Sequence, residues 1–218
     1  MTGRDLRFDG WIAGVGTSSG TRLVLGHWTS SPFGPFSDVM IEQPDGERLL
    51  LAPAPDIAEF VATTYVFDRV LVVPVTVTAE AATWTVEAGT LSLRFGIGGR
   101  SALGILLRAV PRPLAALPAW SALVNLTARL LPPGVRTRGT AGGGRRERYD
   151  ARDHARLRNA TALLDGQDLG ALAPVDPPVR FGFGSVPRAP ALVRVTTTVT
   201  VRGRRAPVPP GGRTPRAR

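Results

Sequence analysis

Asp38 is the carboxylate in this chain best placed to do chemistry. It falls between an aromatic ring and a thioether in Phe36-Ser37-Asp38-Val39-Met40. In a strand, Ser37 and Val39 point one way, and Phe36, Asp38 and Met40 point the other. A carboxyl on such a face has its pKa raised by desolvation, which suits a general acid or base. The plainer alternative is a solvated carboxylate beside a turn, the commoner fate of turn carboxylates. Arg94 and Arg100 are the candidates for holding an anionic ligand, by charge-assisted hydrogen bonds. Arg94 lies in the alternating run Thr90–Ile97, and Arg100 follows Gly96-Ile97-Gly98-Gly99, whose backbone N–H groups can face an anion ahead of a helix. The commoner readings are a solvated Arg94 and a flexible glycine connection. Trp28 and Phe36 complete the candidate ligand-binding set as aromatic walls.

Other constellations carry less. Gly16-Thr17-Ser18-Ser19-Gly20 matches G-x-S-x-G, but a nucleophile elbow needs a helix after it, and Thr21-Arg22-Leu23-Val24-Leu25 reads as a strand. A hairpin turn is expected there. Asp150, Asp153 and His154 suggest a metal cluster, yet His27 is the only other histidine and no cysteine exists. A charged turn with local Arg–Asp pairing is expected instead, with no metal and no cofactor. The glycine run falls short of a nucleotide fingerprint.

Trp28–Glu42 organises the chain. Pro32 and Pro35 fix their φ angles around Gly34, so the aromatic corner is a defined turn. Strands are expected at Phe8–Gly16, Thr21–Trp28, Asp38–Glu42 and Arg48–Leu51, with an Asp45-Gly46 hairpin turn between the last two. Asp56 and Glu59 suggest a capping box opening a short helix that ends near Tyr65. Further strands are expected at Val70–Thr78, Thr83–Glu87, Thr90–Ile97, Arg145–Tyr149, Ala155–Leu164, Pro177–Gly184 and Leu192–Val201. Helical stretches are read at Ala102–Val110 and around Trp120–Leu131, with a Gly/Arg-rich loop over Val135–Gly144. Many short alternating strands with few helices predict a mainly β (α+β) fold. The expected architecture is an antiparallel closed or nearly closed barrel with two or three short helices, able to enclose a ligand.

The segment Ser31-Pro32-Phe33-Gly34-Pro35-Phe36-Ser37-Asp38-Val39 resembles the SP-x-GPY-x-E segment of the acetoacetate decarboxylase-like family. In that family a Gly-Pro-aromatic turn leads into a strand whose carboxylate faces the active-site cavity. Pro178-Val179-Arg180-Phe181-Gly182-Phe183-Gly184 is similar to the family's late strands. The resemblance implies a barrel of that type and a cavity beside Asp38. Phe36 stands where Tyr is usual and Asp38 where Glu is usual. The family's decarboxylases form a Schiff base through a lysine after a Gly-Phe-Pro turn, and Arg100 is the nearest basic residue here. All 27 basic residues of this chain are arginine. A guanidinium has no free amine to condense with a ketone, so Schiff-base decarboxylation is excluded.

The chain of 218 residues reads as one β-rich domain over residues 1–201, with a disordered basic tail over 202–218. Arg202–Arg218 holds six arginines and no acid, so more than half of the net charge of +10 sits in the tail. That pattern favours nonspecific attraction to phosphate over a specific nucleic-acid reading head. The first ten residues lack the apolar core of a secretory signal, and no run of about 18 apolar residues is free of charges and prolines. A cytoplasmic protein without a transmembrane segment is expected. The expected partner is a small-molecule ligand, an apolar carboxylic acid or ketone; homo-oligomer formation is left open. Two other functions fit the same sequence: a lyase or isomerase using Asp38 as acid or base, and a basic-tailed interaction module.

Overall fold

The computed structural model describes residues 4–102, 104–105, 138–140, 145–182 and 186–201. In chain order the elements are β1 (Arg4–Thr17), β2 (Arg22–Ser30), β3 (Phe36–Glu42), β4 (Arg48–Ala52), α1 (Pro55–Thr64), β5 (Arg69–Val72), β6 (Val75–Glu80), β7 (Thr83–Ala88), β8 (Leu91–Arg100), β9 (Arg138–Thr140), β10 (Arg146–Leu164), β11 (Gln167–Asp168), β12 (Leu172–Ala173) and β13 (Ala191–Val201). All belong to one sheet except α1. Its main path runs β5-β4-β3-β2-β1-β13-β10-β8-β7-β6. Pairing is antiparallel throughout, except that β4 and β5 run parallel across the crossover through α1.

Alternation decides what each face of the sheet does. Leu23, Leu25, Val39, Ile41, Leu49 and Leu51 from one end form a single core with Trp84, Val86, Leu91, Leu93 and Phe95 from the other end. Residues from opposite ends of a sheet meet only if it curls. The described sheet is therefore a curled half-barrel, and closure is not observed: β5 and β6 terminate the path without pairing to each other. The concave face is filled by side chains, each large aliphatic group contributing about 1.5–3 kcal/mol through burial. On the convex face, Leu6, Phe8, Phe36, Leu50 and Ala52 pack against Ile57, Phe60 and Val61 of α1.

Several expectations hold. Gly46, at φ 94°, closes the hairpin between β3 and β4, a left-handed position that glycine takes without strain. The G-x-S-x-G match is the turn between β1 and β2, where Ser18 Oγ accepts a hydrogen bond from Ala171 N at 3.0 Å. Others are corrected. α1 begins without a capping box: Ala54 is its N-cap and Pro55 opens it, while Asp56 bonds the adjacent Ile57 N. The expected strand Val70–Thr78 is two strands, because Val73 N turns to Ala52 O and Pro74 has no N–H to donate. The expected turn around Asp150–His154 is the interior of β10, with a register shift between Ala151 and Asp153 that absorbs the irregularity. Residues 177–182 form no strand, for reasons the site makes plain. Among the described residues α1 is the one extended helix. Of the other expected helices, only Ala102, Gly104 and Ile105 are described, and they are helical. The remainder of 102–110, the stretch 120–131, most of the 135–144 loop and the basic tail lie outside the described residues. No helix among the described residues is long and apolar enough to cross a membrane.

Candidate functional site

Among the described residues, the convex face of the curled sheet carries a cavity. Phe36, Asp38, Met40 and Glu42 share that face of β3, as the alternation predicts. On β2 the same face presents Val24, Gly26 and Trp28, with Gly26 paired directly to Asp38. A cavity of about 50 Å³ opens over these strands. Ile12, Val24, Gly26, Trp28, Asp38 and Met40 form its floor, with Tyr149 from β10 beside them. Tyr65, at the C-cap of α1, contributes another wall. Val179, Phe181 and Val186 cover it from the segment that follows β12.

That segment is a strap, which is why residues 177–182 do not pair as a strand. Glu42 is fully buried and accepts from Arg180 N at 2.6 Å and Arg180 Nε at 2.8 Å. It also pairs with the buried Arg22 at 3.2 Å. Val66 N donates to Phe181 O at 2.7 Å. The strap's polar backbone is thus satisfied by a carboxylate and a loop, leaving its apolar side chains to face the cavity.

Asp38 is 2% exposed. Trp28 Nε1 donates to its Oδ1 at 3.1 Å. Desolvation pushes the carboxyl up to about 7, while the indole hydrogen bond pulls the other way. Gly26 is needed beneath the pair: a Cβ there would lie 2.6 Å from Asp38 Oδ1 and 2.8 Å from Trp28 Nε1. A second carboxyl lies behind the tyrosines. Glu147 is 3% exposed, and burial pushes it up to about 6 against hydrogen bonds from Tyr149 and Tyr65 and the charge of Arg145. Burial, reinforced by Tyr149 and Glu147, pushes the Tyr65 phenol well above its usual range. Arg145 is held apart from the cavity, donating to Phe60 O and Thr64 Oγ1 and lying over the Phe60 ring.

Of the residues singled out in the sequence, Trp28 and Asp38 come together in the cavity. Phe36 lies on the same face but packs into the α1 core, edge-on to Phe8 and Phe33. Arg94 is exposed on β8 between the buried Leu93 and Phe95, and Arg100 pairs with Asp153 at 3.2 Å. Neither lines the cavity. Asp150, Asp153 and His154 form no metal cluster: among the described residues no three His, Asp or Glu side chains are so grouped. Asp150 pairs with Arg148, and His154 Nδ1 shares a hydrogen bond with Ser101. The sequence reading passed over Tyr65, Glu147 and Tyr149. One signal was present: Glu147 and Tyr149 alternate with Arg146 and Arg148, which places a carboxylate and a phenol on one face of a strand.

No family model matches this chain, and no curated protein matches it. Among solved structures it is similar to an acetoacetate decarboxylase from Legionella pneumophila subsp. pneumophila str. Philadelphia 1. That match has 12% sequence identity and a TM-score of 0.40, over 91% of this chain and 85% of that one. The likeness is distant, and no site is carried across it.

Proposed function

We propose that this chain binds a small neutral carbonyl compound, such as a short ketone or a protonated short carboxylic acid, in the cavity over Asp38. One observation carries the reading: a buried carboxyl with an indole N–H on one oxygen faces a small apolar cavity that no cation lines among the described residues. An anionic ligand would meet Asp38 with no countercharge and bear its own desolvation cost. A neutral C=O finds donors in the tyrosine hydroxyls and in the Asp38 carboxyl when it is protonated. The cavity's size, at about 10–15 Å³ per water-sized centre, admits roughly three to five non-hydrogen atoms. The acid-or-ketone class expected from the sequence therefore narrows to uncharged forms, with Asp38 and Trp28 as the contacts and Arg94 and Arg100 outside them. The sequence holds no lysine for a Schiff base.

Saturation-transfer NMR with acetone, butanone and propionate between pH 5 and pH 8 tests this. Butanone is expected to bind with a Kd of about 1 mM, roughly −4 kcal/mol for five heavy atoms. Propionate is expected to bind only towards pH 5, where its neutral form is populated. Propionate binding more tightly than butanone at pH 8, or no binding by either ketone, would overturn the assignment.

A further inference from the structure

Simple carbonyl binding leaves one cluster beside the cavity without a role. Tyr65 Oη lies 2.9 and 3.0 Å from the two Glu147 oxygens and 2.8 Å from Tyr149 Oη. Tyr149 Oη lies 2.9 Å from Glu147 Oε2. Three groups in mutual short contact need three hydrogens, and two phenols supply two. A protonated Glu147 supplies the third, and when a carbonyl enters, one tyrosine hydroxyl can turn from the ring to its oxygen while two hydrogen bonds still hold the cluster. Both tyrosines line the cavity that holds Asp38. An apolar chamber thus has a carboxyl base candidate and a set of preorganised hydroxyl donors.

We infer that the cavity catalyses enolisation of small ketones, with Asp38 as the base at the α-carbon and the Tyr65–Tyr149–Glu147 ring as donor to the enolate oxygen. This rests on the carbonyl-binding reading above. In the step, the Asp38 carboxylate takes an α-proton and the C–H electron pair forms the new C=C bond. The carbonyl π pair moves onto oxygen, which accepts a hydrogen bond from a tyrosine hydroxyl. The reverse step returns a proton to carbon, or a deuteron in D2O after Asp38 exchanges with solvent. Atoms and charge balance without a co-reactant. Fixed donors where negative charge develops are the main source of stabilisation for such a step, and an apolar pocket strengthens them. An aspartate base opposite an oxyanion hole that includes a tyrosine and a neutral carboxylic acid is an established solution to abstracting a proton next to a carbonyl; here Glu147 stands behind the tyrosines and acts through them.

The active form has Asp38 ionised and Glu147 protonated, one proton between two carboxyls. Because burial lifts Asp38 to about 7 and Glu147 to about 6, the single proton rests mainly on Asp38 between those limits. The active form is the minor tautomer, roughly a tenth of the singly protonated protein, and it rises and falls with that protein. Among the described residues, the groups facing Glu147 are Tyr65 from the end of α1, Tyr149 from β10 and Arg145 just before β10; Asp38 shares its cavity with the same two phenols and no described cation.

The test is loss of butanone α-proton signal in D2O with the full chain, followed by NMR across pH 5 to 9. Protein-dependent exchange is expected, with a bell-shaped profile whose limbs fall near pH 6 and pH 7. Asp38→Asn is expected to lower the rate by about 10²-fold or more, and Tyr149→Phe by about 10-fold, each compared per bound butanone with occupancy read from saturation transfer. Butanone that binds but exchanges no faster than in buffer overturns enolisation and leaves the binding reading standing. Exchange that persists in Asp38→Asn does the same. Failure of butanone to bind removes both. Should either variant fail to fold, the wild-type profile decides: a rate that simply climbs with hydroxide refutes the assignment.

Discussion

Asp38→Asn has a consequence for stability that does not depend on any ligand. Burial lifts the Asp38 carboxyl from 3.8 to about 7. The folded state therefore holds a proton that the unfolded state releases at lower pH. The resulting stability is fully present below the unfolded value and is lost as pH rises through about 7. The full difference, at 1.36 kcal/mol per pH unit, is about 4 kcal/mol. Roughly 3 kcal/mol of it falls between pH 5 and pH 8.5, on the same linkage. Asparagine keeps the shape and the acceptor for Trp28 Nε1 but never ionises. Urea unfolding of both proteins at the two pH values isolates Asp38, because Glu147, which shifts in the same direction, is common to both. Wild type is expected to lose about 3 kcal/mol more than the variant on going from pH 5 to pH 8.5, so the variant gains relative stability in alkali. A change in the wild-type-to-variant difference below about 1 kcal/mol would refute the reasoning, since Asp38 would then be as well solvated folded as unfolded.

Other residues of the site give further expectations. Gly26→Ala drives a methyl group against the Asp38–Trp28 pair, so saturation transfer to butanone should fall at least several-fold; unchanged transfer would mean that the ligand does not sit over the pair. Trp28→Phe removes the indole hydrogen bond that opposes desolvation, so the Asp38 carboxyl, followed by 13C NMR, should titrate above about 7. Glu42→Gln leaves Arg22 buried beside a neutral partner and loosens the strap at Arg180; urea unfolding should register a loss of about 3–5 kcal/mol.

What the sequence disclosed follows from how local the cause was. The face shared by Phe36, Asp38 and Met40, the Asp45-Gly46 turn and the alternating β13 are set by period and turn chemistry within a few residues. Those features are observed as expected, whereas Arg94, put forward as an anion ligand, stands exposed between buried Leu93 and Phe95. The strap was misread as a strand because its partner is not a neighbouring strand but Glu42, 138 positions away in the chain from Arg180. Tyr65 and Glu147 are separated by 82 positions, and only the curl of the sheet with α1 laid across it brings them into contact. Which face of the sheet held the cavity also depended on the whole fold. Leu23, Leu93, Phe95 and their neighbours fill the concave side, whereas on the convex side Gly26 removes a side chain and leaves space over Asp38 and Trp28.

The most direct test of the Asp38 cavity is a 13C NMR titration of the Asp38 side-chain carboxyl, run without ligand and with saturating butanone. The account predicts a midpoint near about 7 in the free protein and a higher one with butanone bound, because a neutral ligand that displaces water desolvates the carboxylate further. A midpoint near the ordinary carboxylate range that butanone leaves unmoved would contradict both the buried carboxyl and the carbonyl site built on it.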